Sequence, residues 1–527
     1  FAWDSRAEEE GGQRWYHLYP DEFVGPGDPL HWTGRYFTWN TMCAECHSTD
    51  LHVGYDATSN SFSTTWDEVS VGCEACHGPG SEHVRQAEIV DFDNAFGLVV
   101  NLNDRANGAW IMNPETGIAR LSTPGSQQQP ESCGQCHARR ATLTSAYEFG
   151  KSLSDTHALS LLDENLYHAD GRIQDEVYVY GSFVQSRMYA AGVTCSDCHE
   201  PHSAKLRAGP DPNNTCALCH LQDTFATAEH SETNVGDCVG CHMPATTYMG
   251  VDPRRDHSFR LPNTESDPGH YGAVIAAGRK GDADDVLLTS IVNDDLPAIV
   301  RATMLTLLEQ PGGALQFGAL QQQFNDPSPL VRIGALRALQ YLPVQQRGAT
   351  GSTLLSDPVR GVRIEAARAL LGQSDLLEYD EARALAAATA EYRASLEANL
   401  AWPEAATQLA ELESREGNAA AAGRNYEHAL TLDENFAPAH HAYALHLVRA
   451  GEHDTAMIHL LKATELAPDV PRYVYVYGIA QNSMGDVEGA IATLRAARER
   501  FPDDDDIGFG LATILRDAGQ TDAYEAA

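Results

Sequence analysis

Twelve cysteines stand in the 527-residue chain, and every one falls in a C-x-x-C-H unit. The units are Cys43-Cys46-His47, Cys73-Cys76-His77, Cys133-Cys136-His137, Cys195-Cys198-His199, Cys216-Cys219-His220 and Cys238-Cys241-His242. C-x-x-C-H is the attachment signal of a c-type haem. Its thiols become thioethers to the two vinyl groups of one porphyrin, and the adjacent histidine becomes an axial iron ligand. Zinc sites also pair C-x-x-C units, at intervals of about 15–20 residues, and the last three units here, starting at Cys195, Cys216 and Cys238, are spaced only a little more widely. Zinc chemistry, however, has no use for a histidine after the second cysteine six times in six. A redox C-x-x-C does not need it, and a disulfide framework leaves the fixed spacing unexplained. The expectation is six covalent haem c groups.

Each iron needs a second axial partner or an open position. Ten further histidines lie between the N-terminus and position 270: His17, His31, His52, His83, His157, His168, His202, His230, His257 and His270. That number allows bis-histidine ligation throughout. His83 follows proximal His77 closely, and His202 follows His199 more closely still. Neither reaches the far face of its own haem easily, so each is expected to serve a neighbouring one. His230 and His257 flank the last unit, while His17, His31 and His168 sit beside aromatic residues that suit a porphyrin edge. These seven are the distal candidates. Met188, Met243 and Met249 are alternatives that would raise the potential, although Met243 follows His242 directly and cannot reach round the ring.

Six haems within residues 43–242 leave too little chain for an ordinary core around each. The porphyrins must themselves be the core, wrapped by short helices and loops. Haem c is attached outside the cytoplasm, which predicts an exported protein, periplasmic or extracellular, in keeping with an oxidising compartment. The chain opens FAWDSRAEEE without an initiator methionine or a signal peptide, which reads as a processed or incomplete chain. No stretch approaches the roughly 18 consecutive apolar residues of a membrane span. Net charge is −38, from 74 acidic and 36 basic residues. Both halves are acidic, which argues against a nucleic-acid partner and predicts attraction to basic ones.

Beyond position 270 cysteine disappears, and alanine and leucine recur at helical spacing. Two periods emerge. In the first, Val300-Arg301, Val331-Arg332 and Val362-Arg363 coincide, as do Leu308, Leu339 and Leu370, in a pattern resembling HEAT repeats. In the second and slightly longer one, Gly417, Gly451, Gly485 and Gly519 are evenly spaced, and Tyr426 with Ala429 matches the tetratricopeptide pattern. Glycine is expected at the turn between paired helices because a side chain there would obstruct packing. The six histidines His428, His440, His441, His446, His453 and His459 read as surface residues. The fold expectation is mostly α. A haem-cored multihaem cytochrome domain with little regular secondary structure spans 1–270. An α-solenoid follows, HEAT-like over 271–375 and tetratricopeptide-like over 376–527. Such solenoids offer concave surfaces to proteins, so redox partners or copies of the same chain are the expected partners, a filament being one version.

Several stretches resemble one family of exported multihaem c-type cytochromes with C-terminal helical repeats: WNTMCAECHSTDL, VGCEACHGPGSEHV, LYHADGRIQDEVYVYGSFVQSRMY, GVTCSDCHEPHSAKLR and CHMPATTYMGVDPRRDHSFRLP. The first two are also similar to haem-binding segments of the cytochrome c-554 family. The resemblance implies electron transfer. It also implies a preceding exported segment with at least one more C-x-x-C-H, and so room for at least one more haem. An alternative function is a multihaem oxidoreductase acting on a small nitrogen compound at one open haem. The C-x-x-C-K unit typical of nitrite reductases is missing. Tyr178, Tyr180, Arg187 and His168 are the candidate pocket residues for that alternative.

Overall fold

A computed structural model describes residues 1–26, 28–93, 95–102, 108–123, 125–145, 148–225, 237–248, 250–261, 284–308 and 314–520. The chain is mostly helical and divides into two compact units. One comprises residues 1–54 and 64–391, the other 55–63 and 392–527.

Up to Leu261, the larger unit folds without long elements. Its sheets there are two-stranded hairpins, such as Ala2–Asp4 with Arg14–Tyr16 and Trp110–Asn113 with Ile118–Leu121. The helices are short, the longest described being Gln128–His137. Apolar burial is sparse. Within residues 1–150, Ala44, Val100, Ala119, Pro130, Ala138 and Leu143 are the buried apolar side chains among those described. Large apolar groups stay exposed instead, including Trp15 (68%), Trp32 (77%) and Val90 (81%).

From Leu153 onward the character changes. Leu153, Leu161, Leu162, Tyr167 and Phe183 join Ile299, Leu305, Leu336 and Leu370 of the repeats in one apolar core. Polar contacts seal the join. The Leu162 amide donates to Thr303 Oγ1 at 3.2 Å, and the Arg360 amide donates to Asp155 Oδ1 at 2.7 Å. Gly361 sits so close that a Cβ there would lie 2.3 Å from the Ser154 carbonyl oxygen. Residues 153–184 and the HEAT-like helices therefore share a core.

The shorter repeat period has a physical basis in those helices, which include Ala298–Thr306, Pro329–Ala338 and Arg360–Leu370. Val300, Val331 and Val362 are fully buried, as are Leu339 and Leu370. Each following arginine reaches an acid of the next repeat. Arg301 pairs with Asp326, Arg332 grips Asp357 at 2.8 and 3.0 Å, and Arg363 grips Glu391 at 2.7 Å through two nitrogens. Arg332 and Arg363 also donate to the carbonyls of Asp326 and Asp357, at 2.7 Å each. The result is a ladder of forked, charge-assisted hydrogen bonds along the inside of the solenoid.

The smaller unit stacks antiparallel helix pairs: Pro403–Arg415 with Ala419–Leu432, Ala437–Ala450 with His453–Leu466, and Pro471–Ser483 with Val487–Arg500. Tyr426 and Ala429 are buried between helices. Two expectations need correcting. Gly417, Gly451, Gly485 and Gly519 have φ of +84°, +82°, +88° and +73°, and a Cβ would meet nothing within 4 Å. Left-handed backbone, not crowding, demands glycine there. Of the six histidines, only His453 is exposed; His440 and His446 are buried, each with 8% exposure. His440 Nδ1 lies 2.8 Å from His459 Nδ1, and its Nε2 donates to the Glu434 carbonyl at 3.0 Å.

Removing one member of a buried ion pair strands the other. Arg332→Ala should therefore cost about 3–5 kcal/mol in chemical denaturation, whereas the double change Arg332→Met with Asp357→Leu should cost much less. Equal losses would show that the ladder acts through packing alone.

Candidate functional site

Each C-x-x-C-H unit is seated on a helical turn. Ala44–His47, Cys73–His77, the end of Gln128–His137, Cys195–Cys198 and Cys238–His242 carry five of them, and Cys216 closes Pro212–Cys216. Residues three and four apart share a helix face, so both thiols and the histidine of a unit are brought together. Side-chain caps start three of these turns. Thr194 forms a capping box with Asp197, Asp211 accepts from the Asn213 amide, and Asp237 accepts from the Gly240 amide. All twelve thiols are free of disulfides.

The units are also tied to one another. Arg140, just beyond the third unit, bonds Glu45 of the first at 2.6 Å and reaches Cys46 Sγ at 3.7 Å. Burial opposes ionisation of Glu45. The hydrogen bond from His157 and the Arg140 charge outweigh it, however, and hold the carboxyl down at about 2. Gln129 and Ser196 exchange two bonds of 2.9 Å, joining the third unit to the fourth. The Val239 amide of the sixth unit donates to Asn213 Oδ1 beside the fifth at 3.2 Å. Thiols follow the same links: Cys46 faces Cys136, Cys133 faces Cys195, and Cys216 faces Cys238. Cys76 lies within electrostatic range of Cys133, and Cys198 within range of Cys216 and Cys219. Direct contacts thus join the first unit to the third, the third to the fourth and the fifth to the sixth.

The histidines sort by which ring nitrogen is engaged. A carbonyl only accepts, so Nδ1 beside one must carry the proton and Nε2 keeps its lone pair for a metal. This is the state of His77 (Val100 O, 3.2 Å), His83 (Phe96 O, 2.6 Å) and His257 (Arg255 O, 2.9 Å), and His242 Nδ1 likewise donates to Arg260 O at 2.6 Å. His202 Nδ1 is oriented likewise by the Glu200 carboxylate at 3.1 Å. His17 and His31 have the opposite arrangement, with Nδ1 accepting the amides of Tyr19 at 3.1 Å and Thr33 at 3.3 Å. His157 has Nδ1 on Thr156 Oγ1 and Nε2 on Glu45. His168 is exposed. His230, His270 and Met249 lie outside the described residues.

Two imidazole pairs stand out. The rings of His77 and His202 are 6.4 Å apart between centroids with planes 11° from parallel, and those of His199 and His257 are 6.4 Å apart at 25°. Rings in face contact would be much closer. With nitrogen–metal bonds of about 2.0 Å, two imidazoles facing each other across one metal have centroids about 6.3 Å apart. Burial lowers the pKa of His137, His199, His220 and His257, favouring the neutral form a metal ligand needs. Around the units, Val69, Val71, Val84, Ile89, Leu218 and Leu221 are exposed. Free thiol pairs, neutral imidazoles with Nε2 available and uncovered apolar surface beside them are a donor set that fits a covalently attached porphyrin. Among the described residues, no three His, Cys, Asp or Glu side chains are grouped to hold a metal ion.

The candidate pocket residues for small-molecule chemistry do not converge. Tyr180 is in the apolar core, Arg254 lies 5.7 Å over the Tyr178 ring, and Arg187 and His168 are exposed. Sequence reasoning missed Glu200, whose place two residues before His202 was the available signal. It also missed the Gln129–Ser196 lock, which carries no local signal.

No protein-family profile matches the chain, and no curated protein matches it in sequence. Among solved structures, the crystal structure of MamA matches at 19% identity over 32% of this chain and 88% of its own, with a TM-score of 0.20. The human IFIT1 dimer with PPP-AAAA matches at 17% identity over 49% and 66%, with a TM-score of 0.31. No helix among the described residues is long and apolar enough to cross a membrane.

Gln129→Ala leaves the Ser196 amide and hydroxyl without these partners at a half-buried position. It should lower stability by about 1–3 kcal/mol, read from thermal melts. An unchanged melt would show that the lock is dispensable.

Proposed function

We propose that this chain is an exported multihaem c-type cytochrome that carries electrons, in the periplasm or outside the cell, through closely packed and mostly bis-histidine haems. Six haem c groups are attached through the twelve cysteines, with His47, His77, His137, His199, His220 and His242 as proximal ligands. His202 is the distal partner on the haem of His77, and His257 on the haem of His199. His83 is poised for the same role by its Phe96 hydrogen bond. Each bound haem supplies a one-electron ferric–ferrous couple. The observation that carries the reading is the string of linked attachment turns, in which Glu45–Arg140 joins the first to the third, Gln129–Ser196 the third to the fourth and Asn213–Val239 the fifth to the sixth. Such a string sets neighbouring groups close, as an electron path requires. The sparse apolar burial of residues 1–150 agrees with porphyrins serving as core. The helical repeats present the surface for redox partners or for further copies of the chain.

A pyridine haemochrome assay with intact-mass analysis should count six haems; fewer would remove units from the assignment. In low-temperature EPR and near-infrared magnetic circular dichroism, the oxidised protein should be low-spin. His202→Ala and His257→Ala should each convert one haem to high-spin, and His17→Ala should convert none. A wild-type high-spin haem that binds nitrite or hydroxylamine would favour an oxidoreductase instead. With a net charge of −38, stopped-flow reduction by a basic redox protein should slow as salt rises. Rates indifferent to salt would sink the electrostatic part of the docking.

A further inference from the structure

Beside the helix of the third attachment turn lies a cavity of about 60 Å³, bounded on its far side by the HEAT-like helices. Glu131, Tyr180, Tyr189, Ser154 and Ser328 are the polar residues that line it. At about 30 Å³ per molecule it has room for about two waters with hydrogen-bonding partners, and it is far too small for a porphyrin.

Glu131 belongs to the helix that carries Cys133, Cys136 and His137, nearly two turns before the histidine. Its carboxylate accepts the Leu153 amide at 3.2 Å. Tyr180 packs directly on the third unit, because a Cβ added at Gly134 would lie 3.0 Å from its ring, and it faces the thiols of Cys133 and Cys195. The titratable groups facing Glu131 are the two phenols, from Tyr180–Phe183 and Arg187–Ala190. From the repeats come Ser328, Pro329, Leu330, Ala298 and Ile299, none of which titrates. Among the described residues, no cation lines the cavity. Burial pushes the Glu131 carboxyl up against the opposing hydrogen bonds from Leu153 and Ser152. The side chain is half-buried, so protons can still reach it.

We propose that this cavity is a hydrated proton-binding site, in which Glu131 takes up one proton when the haem on Cys133 and Cys136 gains one electron. This rests on the multihaem reading. The electron comes from the reductant and turns ferric iron ferrous. The proton comes from solvent and turns the carboxylate into a carboxylic acid, so local charge is conserved. In a poorly solvated site, adding negative charge nearby strengthens proton binding. The carboxyl therefore binds its proton more tightly in the reduced protein, and the potential of the adjacent haem falls as pH rises.

The test is spectroelectrochemical titration of the intact chain across pH, in wild type and Glu131→Gln, after the haemochrome assay has counted the haems. In wild type, one haem should lose potential with rising pH above the ordinary carboxylate range. The slope approaches one proton per electron, tenfold in equilibrium constant or about 59 mV per pH unit. In Glu131→Gln that slope should vanish, with the melting temperature and remaining haems unchanged. Redox-difference infrared spectra of wild type, which need no variant, should show a protonated-carboxyl band appearing on reduction. Haems present with the slope retained in Glu131→Gln would overturn the site and assign the proton to the propionates. Absence of the carboxyl band in wild type would overturn it too. A chain without haem would fail the haemochrome assay and take down the multihaem reading itself.

Discussion

A C-x-x-C-H turn has to be held in place by the chain around it. Over residues 1–150 the chain buries six apolar side chains among those described, far too few to fix the turns by hydrophobic contact alone. Side-chain hydrogen bonds carry part of that burden: Arg140 with Glu45 and Gln129 with Ser196 join turns to one another, and Asp197, Asp211 and Asp237 cap the later turns. Each of these bonds contributes only about 1 kcal/mol net, yet leaving its buried partner unmade costs more. The geometry is therefore set by penalties for breaking the bonds, and the turns hold their spacing cooperatively.

The same logic governs the imidazoles. A ring offers Nε2 to a metal only if Nδ1 holds the proton, and a carbonyl or carboxylate placed at Nδ1 enforces that. Val100, Phe96, Arg255, Arg260 and Glu200 provide those acceptors for His77, His83, His257, His242 and His202. The backbone amides of Tyr19 and Thr33 do the reverse for His17 and His31. Proximity to aromatics, which drew attention to those two residues, says nothing about the tautomer.

Farther along the chain, ordinary packing takes over. Residues 153–184 bury their leucines and aromatics against the HEAT-like helices, and the arginine ladder runs beside that shared core. This gives the attachment region a rigid support on one flank. The Glu131 cavity lies at that flank, where a carboxyl on an attachment helix meets the apolar wall of the repeats.

Much of this was legible in the residues alone. C-x-x-C-H is a local pattern whose chemistry depends on spacing within one turn, and the two repeat periods record the same packing problem solved repeatedly. Val300, Val331 and Val362 are buried because their repeats are equivalent. The long-range choices were not legible. Which histidine rings come to face one another depends on packing between segments as distant as those of His77 and His202. Whether His440 and His446 are exposed depends on neighbouring helices. The repeat glycines were found for the wrong reason, since φ follows from the turn and not from composition. Local sequence determined the C-x-x-C-H turns and the repeat periods, because both are written within a few turns of chain. Tertiary structure alone decided the partners of each ring and carboxyl, because a lone pair or a proton is placed by whatever group packs against it.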